Sequence, residues 1–384
     1  MSETQQSKVY ETKVVHVNPE SFKDEEIAEA ARLLRDGELV GMPTETVYGL
    51  AANAFNSTAV AHIFEAKGRP QDNPLIVHVS DMAMLEKVVD HIPERARLLA
   101  EHFWPGPLTM IFQKRIEGGV PPCVTAGLNT VAVRFPVHPV AKRLIALSGV
   151  PIAAPSANVS GKPSPTLASH VLHDMAGRIP MIVDGGACDF GVESTVVDVE
   201  CAAAGGLPII LRPGGLTLER IREVLPETDV YSAAKFGGEM AKRPPTPGLK
   251  YRHYAPKAPV YLYDPRVPPQ EFTFTKRMAE AVAAHMDSYE GKRIGLIKAH
   301  VGADAWGYEE LMKRAKVEVT RTIGDERGSI DDVERGLFDA LRFMDEQNVD
   351  VIFAEGVSDV GPGLAIMNRF KKAAFETIDL SLIK

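Results

Sequence analysis

Four positively charged side chains lie at the ends of predicted elements in a chain that is acidic overall. Lys67 and Arg69 close a predicted helix, Arg134 lies near the end of the predicted strand TVAVRFP, and Arg212 lies near the end of the predicted strand LPIILRPG. Ligands of open α/β sheets collect at strand ends, so we expect these cations to act together. The set fits one small polyanion better than it fits a nucleic-acid surface.

Polar loops accompany these cations. Segment 43–55, PTETVYGLAANAF, places hydroxyl groups after a buried strand, and segment 151–166, PIAAPSANVSGKPSPT, combines hydroxyl and amide side chains with prolines. Segment 189–199, DFGVESTVVDV, brings Ser194 and Thr195 into a further strand. Rigid loops rich in donors suit a phosphate or a ribose because little ordering is needed on binding.

Each of these features also has a purely structural explanation. The threonines of 43–55 could cap a turn or a helix. Lys67 and Arg69 could be solvated cations that the helix dipole favours. His78, which lies between two valines in a predicted strand, could be an ordinary buried histidine. From the residue types alone these alternatives stay open.

Composition excludes several classes of protein. The chain has 384 residues, of which 45% are hydrophobic and 24% are charged, and its net charge is −8. Those values exclude collagen, coiled coils and wholesale disorder, and they predict a globular protein of two or three domains. The negative charge disfavours a dedicated nucleic-acid coat protein and predicts no stable DNA binding.

Cysteine usage and hydropathy predict a cytoplasmic protein. The chain has an odd number of cysteines, three in all, and they form no C-x-x-C pair: Cys123, Cys188 and Cys201. This argues against a disulfide framework and against a cysteine zinc site. The first residues have no apolar core of signal-peptide length, and no segment approaches the roughly 20 apolar residues that span a bilayer. We therefore expect no membrane association.

Strands and helices alternate along the chain, which predicts an α/β fold. Segment 43–55 is predicted to be a loop, and 329–346 a helix with one apolar face. Predicted helices cover 24–36, 57–67, 94–103, 138–147, 275–287 and 305–315. From about residue 232 the chain is rich in proline, and then the alternation resumes. The predicted domains are 10–231, a linker at 232–258, and a smaller, mainly parallel Rossmann-like domain at 259–384.

Several common catalytic motifs do not occur in the sequence. It has no G-x-x-x-x-G-K-[ST], no G-x-G-x-x-G after a strand, no H-E-x-x-H and no G-x-S-x-G. A nucleotide would therefore be bound by a less common set of loops.

A longer series of motifs resembles one known family. The sequence contains PTETVYGL, then K-x-R as Lys67-Gly68-Arg69, then NPL, WPGPLT, and S-x-N as Ser156-Ala157-Asn158, followed by PGLKYRHYAP. In this order they resemble the Sua5/YrdC/YwlC family, in its two-domain Sua5 form. The resemblance covers the chain from about residue 10 to 384. It implies a twisted α/β sheet around a large basic cavity, plus a Rossmann-like C-terminal domain.

The resemblance also implies a reaction. Members make L-threonylcarbamoyl-AMP and pyrophosphate from L-threonine, bicarbonate (or CO2) and ATP with Mg2+, and the product serves the t6A37 modification of tRNA through a downstream threonylcarbamoyl transferase. No protein side chain is expected to ligate the metal, which the phosphates would carry. Lys67 and Arg69 are the implied catalytic residues.

The implied contacts divide between the two substrates. The ATP contacts are Lys67, Arg69, Asn73, Thr130, Ser156, Asn158, Ser164, Arg212, His253 and Tyr254. The L-threonine contacts are Thr46, His78, Arg134, Ala154 through its backbone, and Ser194. The linker contains a dense cluster of aromatic and basic side chains, namely Lys250, Tyr251, Arg252, His253 and Tyr254. This cluster predicts either a lid over the nucleotide or a segment that only holds the two domains together.

Two other functional classes remain. An RNA-binding module with a basic concavity would show salt-sensitive tRNA affinity without ATP turnover, and the acidic net charge weighs against it. A carbamoyltransferase of the hydrogenase-maturation type would carry cysteine-rich zinc motifs, and the three unpaired cysteines weigh against that class.

Overall fold

The computed structural model describes residues 9–236, 253–266, 276–299, 316–324 and 329–383. The predicted helix at 305–315 and the linker residues Lys250, Tyr251 and Arg252 lie outside the described residues. Two sheets organise the rest. We call residues 9–236 the N-terminal unit, 259–383 the C-terminal unit, and 253–258 the connecting segment.

The N-terminal unit is built on a mixed sheet of eleven strands. Their order across the sheet is β1-β8-β2-β3-β7-β4-β6-β5-β9-β10-β11. The strands are β1 (Lys13–His16), β2 (Val40–Met42), β3 (Gly49–Asn53), β4 (Ile76–His78), β5 (Leu108–Gln113), β6 (Thr130–Arg134), β7 (Ile152–Ala153), β8 (Met181–Asp184), β9 (Thr195–Cys201), β10 (Leu207–Arg212) and β11 (Asp229–Val230). Strands β4 and β6 run parallel, with His78 paired to Arg134, so two predicted ligands become neighbours at one sheet end.

Helices join these strands and begin or end where local sequence signals predict. Asp24, Glu25 and Glu26 lie in the first turn of the first helix, where the helix dipole favours acids. Asn56 caps the second helix, and Gly68 ends it in the left-handed conformation. The helices are α1 (Asp24–Arg35), α2 (Ser57–Lys67), α3 (Met82–Leu85), α4 (Glu94–Phe103), α5 (Pro122–Thr125), α6 (Pro139–Ser148), α7 (Ala168–Met175), α8 (Leu218–Arg222) and α9 (Ala233–Phe236).

The prediction of a continuous loop at 43–55 is wrong. Residues Gly49–Asn53 form β3, which pairs antiparallel with β2 and with β7. The sequence GLAAN has low intrinsic strand propensity, and its burial between two neighbouring strands overrides that preference. A Cβ at Gly49 would lie 3.1 Å from the Ala154 side chain, so a larger residue at this position would require Ala154 to shift.

The C-terminal unit contains a five-stranded sheet in which every described pair is parallel, as predicted. The order is β14-β13-β15-β12-β16. The elements are β12 (Val260–Asp264), α10 (Lys276–Asp287), β13 (Ile294–Lys298), β14 (Val319–Thr322), α11 (Ile330–Glu346), β15 (Val351–Glu355), α12 (Pro362–Ala373) and β16 (Glu376–Asp379). Among the described residues, no helix has the length and hydropathy needed to cross a membrane.

The two units share buried surface. Val47 and Val192 of the N-terminal unit belong to the same hydrophobic cluster as Phe338 and Leu341 of α11. Gly191 lies directly against α11, since a Cβ there would come within 2.5 Å of the Arg335 backbone. The loops that precede β3 and β9 are therefore packed against the C-terminal unit, and they carry the predicted ligands Thr46 and Ser194.

Candidate active site

A cavity opens where the loops of the N-terminal sheet meet the connecting segment. Its empty space is about 600 Å³, including the opening to solvent. The lining residues are Thr44, Thr46, Val47, Gly49, Arg69, Ile76, His78, Arg134, Ala154, Pro155, Ser156, Glu193, Ser194, Arg212, His253 and Tyr254. Loops far apart in sequence thus bring three buried arginines to one space, whereas Lys67, the fourth cation of the predicted set, does not line it.

Arg134 is held in a fixed orientation at one side of this cavity. Its Nη2 donates to a Glu45 carboxylate oxygen at 2.5 Å, and its Nη1 donates to the Thr46 hydroxyl at 2.7 Å. Its Nε donates to the carbonyl of Gly106 at 3.3 Å. A guanidinium carries five N–H donors, so this set leaves donors for a carboxylate ligand.

His78 lies beside Arg134 and is uncharged. Burial, followed by the charge of Arg134, lowers the pKa of His78 to about 3. Its Nδ1 is buried and has no hydrogen-bond partner. A neutral imidazole offers one donor and one acceptor, which suits a hydroxyl or an amine better than a carboxylate.

Lys67 and Arg69 have different surroundings although only Gly68 separates them. The ammonium of Lys67 donates to the main-chain carbonyls of Ser156 and Asn158, and it is almost completely buried. Arg69 lines the cavity, donates from Nη2 to the Pro74 carbonyl at 3.2 Å, and has a buried Nε without a partner. Lys67 therefore orders the S-x-N loop, while Arg69 has a donor to offer to a ligand.

Burial affects the pKa values of both cations. It drives the pKa of Lys67 well below its usual value, with the charge of Arg69 as the next cause. Burial lowers the pKa of Arg69 to about 10, so Arg69 stays protonated at neutral pH. An added anion would relieve the repulsion between the two cations.

Arg212 and Ser194 form a second polar group in the cavity wall. The Nε and Nη2 atoms of Arg212 donate to the Ser194 carbonyl at 3.2 and 2.9 Å, and Nη2 also reaches the Ser194 hydroxyl at 3.1 Å. The Ser194 hydroxyl contacts the Thr109 hydroxyl at 2.8 Å. Arg212 thereby faces the cavity in one defined orientation.

The S-x-N loop contains a buried acceptor that has no hydrogen-bond partner. The Asn158 side-chain amide donates to the carbonyls of Val159 and Lys162 at 2.8 and 2.9 Å, and its Oδ1 is buried without a partner. The hydroxyl of Ser164 donates to a Glu193 carboxylate oxygen at 2.6 Å. Ser156 itself lines the cavity.

His253 and Tyr254 close the cavity from the connecting segment. Tyr254 is buried, adopts a positive φ of 66°, and packs on Phe338 of α11 with ring centroids 5.1 Å apart. Burial and then the carboxylate of Glu193 raise the pKa of Tyr254 to about 12. Burial, followed by the charge of Arg69, lowers the pKa of His253 to about 4. Both side chains are therefore uncharged at neutral pH.

Comparisons with known proteins identify the family of this chain. The family model Sua5_yciO_yrdC, described as "Telomere recombination", matches residues 32–214, and the model described as "Threonylcarbamoyl-AMP synthase, C-terminal domain" matches residues 216–375. A threonylcarbamoyl-AMP synthase of Pyrococcus abyssi is 46% identical over 92% of this chain and 96% of its own length. The chain belongs to the Sua5 family.

Further Sua5 relatives extend the comparison. A threonylcarbamoyl-AMP synthase of Bacillus subtilis is 46% identical over 92% of this chain and 94% of its own length. The structure of P. abyssi Sua5 complexed with L-threonine has a TM-score of 0.82 at 44% identity, covering 96% of this chain and 99% of that one. A variant of the same protein, with alanine replacing a consecutive histidine and tyrosine, has a TM-score of 0.81 at 43% identity and covers 96% of this chain and 98% of that one.

Two predicted Sua5 ligands lie apart from the cavity wall. Thr130 begins β6 whereas Arg134 ends it, which separates the two by roughly 13 Å along the strand. Asn73 is buried, and its carbonyl accepts from Arg69 Nη2 at 3.4 Å. Lys67, Asn158 and Ser164 are buried and do not line the cavity either, whereas the other ten predicted ligands line it.

Glu193 was not predicted from the sequence, although it lines the cavity. It stands next to Ser194 in the segment VEST, but an isolated carboxylate gave no signal among so many surface acids. Glu45, which orients Arg134, was missed for the same reason. Their importance depends on which buried arginine each one meets, and that follows only from the fold.

The described residues contain no group of three or more His, Cys, Asp or Glu side chains that could hold a metal ion. Among the lining residues, Glu193 is the single carboxylate, and it already accepts hydrogen bonds. The donor set of the cavity fits phosphate oxygens rather than a resident metal.

Proposed function

We propose that this chain uses the cavity to make L-threonylcarbamoyl-AMP and pyrophosphate from L-threonine, bicarbonate (or CO2) and MgATP. The observation that carries the proposal is the convergence of Arg69, Arg134 and Arg212, all buried, on one space beside the neutral His78. Full-length relatives at 46% identity are named for this activity. An RNA-binding role is not favoured, because these cations are buried rather than spread over a surface.

The reaction needs placement and charge stabilisation more than it needs a protein nucleophile. The neutral amine of threonine forms a bond to the carbon of CO2, releasing one amine proton to water, and gives a carbamate; with bicarbonate the same carbamate forms with loss of water instead. A carbamate oxygen then forms a bond to the α-phosphorus of ATP. The bond between that phosphorus and the bridging oxygen breaks, and the electron pair leaves with pyrophosphate. Fixed cations lower the barrier by stabilising charge as it develops.

The amino acid occupies the side of the cavity that holds Arg134. The remaining N–H donors of Arg134 bind the threonine carboxylate. Thr46, His78, Ser194 and the backbone of Ala154 surround the amine and the hydroxyl. A His78 pKa of about 3 makes this side chain a weak base, so we assign it to orientation rather than to proton removal.

The nucleotide occupies the side that holds Arg69 and Arg212. Those two arginines contact the phosphates, and Ser156 and Asn158 contact phosphate or ribose oxygens. Lys67 and Ser164 support these groups from behind, and Asn73 and Thr130 stay predicted ATP contacts. Magnesium, carried by the phosphates, neutralises charge on the leaving pyrophosphate.

The chain is divided into a catalytic domain at 10–231, a linker at 232–258 and a smaller domain at 259–384. His253 and Tyr254 form a lid that excludes water from a product prone to hydrolysis. The product then passes to a downstream threonylcarbamoyl transferase for the t6A37 modification of tRNA in the cytoplasm.

Mass spectrometry of the reaction products tests this function. The complete mixture of ATP, Mg2+, L-threonine and bicarbonate should yield L-threonylcarbamoyl-AMP and pyrophosphate in equal amounts. Omission of any one component should abolish both products. Salt-sensitive binding of tRNA without product formation would support the RNA-binding alternative instead.

A further inference from the structure

One arginine of the C-terminal unit is completely buried against the cavity wall. Arg369 lies on α12 and is 0% exposed. Its Nε donates to a Glu193 carboxylate oxygen at 2.9 Å, its Nη1 donates to the Pro213 carbonyl, and its Nη2 lies 3.5 Å from the Glu193 carbonyl. Glu193 directly precedes Ser194, and Pro213 directly follows Arg212. Arg369 therefore contacts both segments that carry the Arg212–Ser194 group.

The segment that contains Glu193 and Ser194 packs tightly against the segment that contains Arg212 and Gly214. A Cβ on Gly214 would lie 2.2 Å from the Glu193 carbonyl oxygen, so a side chain cannot be accommodated there. The Gly215 N–H donates to that same carbonyl at 3.2 Å. A displacement of Glu193 would consequently be transmitted to Arg212 and Ser194.

We infer that Arg369 is a positioning residue for the nucleotide half of the site, holding Glu193 so that Arg212 stays directed at the phosphates. This inference rests on the proposed function for the identity of the nucleotide. It assigns the C-terminal unit a part in ATP binding, although Arg369 itself contacts no substrate.

Electrostatics supports the assignment. Burial alone would raise the pKa of Glu193, but the charges of Arg369 and Arg212 and the hydrogen bond from Ser164 hold it at about 2. Glu193 is thus an ionised, buried carboxylate with two neighbouring cations. Without Arg369, the carboxylate would depend on Arg212 for its compensating charge, and Arg212 would be withdrawn from the phosphates.

The competing explanation is that Arg369 only attaches the C-terminal unit. That role would lower affinity for ATP and L-threonine alike, and replacement of Glu193 would add a second, independent defect. The positioning role affects ATP more strongly than L-threonine, because Arg212 contacts the phosphates directly whereas Ser194 is one of several proposed L-threonine contacts. It also predicts that loss of the Glu193 charge removes most of the penalty for losing Arg369.

The experiment compares full-length wild type with Arg369→Met, Arg369→Lys, Glu193→Gln and the double variant Glu193→Gln/Arg369→Met. Binding of ATP and of L-threonine is measured separately by calorimetry, and melting temperatures report folding. Arg335→Met is the matched control, because Arg335 also donates across the interface, to the Asp189 carbonyl at 3.0 Å, but is exposed and does not line the cavity.

We expect Arg369→Met to weaken ATP binding about tenfold or more and L-threonine binding by a clearly smaller factor, since the other proposed L-threonine contacts stay in place. Arg369→Lys should recover part of the loss, and the double variant should bind ATP about as well as Glu193→Gln alone. Arg335→Met should bind both ligands normally. If Arg369→Met does not fold, the lysine and double variants decide between the two explanations.

Equal losses for both ligands, or additive losses in the double variant, would overturn the inference. Normal ATP binding by folded Arg369→Met would do the same. Failure of the proposed function has a different signature: wild type would bind ATP and show the dependence on Arg369, yet form no L-threonylcarbamoyl-AMP.

Discussion

The two cations of the K-x-R motif, Lys67 and Arg69, have different roles. Arg69 lines the cavity with an unpartnered Nε, whereas Lys67 is bonded to the carbonyls of Ser156 and Asn158. One residue of spacing across the αL residue Gly68 is enough to separate these environments. Arg69 is the better candidate for direct phosphate contact, and Lys67 for ordering the loop that binds the nucleotide.

Replacement of either cation should therefore reduce activity by different routes. We expect Arg69→Ala and Lys67→Ala each to slow pyrophosphate release by about 10²–10³, the usual effect of removing one charge-stabilising donor. Lys67→Ala should also lower the melting temperature, because two carbonyl groups lose their buried donor. Exposed Arg143, replaced by alanine, is the control. Near-normal pyrophosphate release by both folded variants would reject the assignment.

The side of the cavity that holds Arg134 should recognise the hydroxyl group of the bound threonine. We expect L-threonine to be strongly preferred over L-valine, with L-serine accepted more weakly than threonine. Serine loses only a methyl group, worth roughly 1–3 kcal/mol, whereas valine leaves a buried polar group such as His78 unpaired. Competition assays measure kcat/KM for each amino acid. Equal values for valine and threonine would contradict a pocket that reads the hydroxyl.

At the scale of elements, the sequence predicted the strand ends better than the strands themselves. Arg134 and Arg212 could be predicted to lie at strand ends because each follows an apolar run. The two ends of α2 could be predicted because Asn56 is a strong N-cap signal and Gly68 a strong C-cap signal. Strand β3 could not be predicted, because Gly49–Asn53 forms a strand only through burial beside β2 and β7. Glu193 and Arg369 could not be paired, since 176 residues separate them.

The role of the connecting segment can be tested with variants that distinguish its packing on the C-terminal unit from its contact with the cavity. Tyr254 packs on Phe338 and also lines the cavity, so a double alanine variant removes both contributions. We expect His253→Ala/Tyr254→Ala to weaken ATP binding more than it lowers the melting temperature. Tyr254→Phe keeps the packing, and it should show the loss that is due to the hydroxyl alone.

Limited proteolysis provides a second measurement on the same segment. If it acts as a lid, ATP should slow cleavage between residues 232 and 258. Equal cleavage rates with and without ATP, together with normal ATP binding by the double alanine variant, would mean that the segment only joins the domains.

At the scale of the whole molecule, the site depends on the interface between the two units. Arg342 of α11 donates to the buried Asp174 carboxylate at 2.9 Å, and Arg369 of α12 donates to Glu193 at the same distance. Val47 and Val192 extend the apolar part of this contact. The same segments thus form both the cavity wall and the interface between the two units. The sequence suggested two separate domains and did not indicate how closely those domains are packed together.

The charge of Glu193 should make the stability of the whole chain depend on pH in the acid range. The folded pKa of about 2 lies below the ordinary value of 4.5. The stabilising contribution is therefore complete above about pH 4.5 and is lost as pH falls toward 2. Its upper limit is about 3 kcal/mol, from the size of the shift.

Comparison of wild type with Glu193→Gln in urea titrations between pH 7 and pH 2 measures this contribution. We expect the variant to be less stable at pH 7, and the difference in free energy of unfolding to shrink below about pH 4.5, because wild type then loses the charge that the variant already lacks. Exposed Glu219, replaced by glutamine, should give no such convergence. A difference that stays constant with pH would mean that the Glu193 charge does not stabilise the joined units.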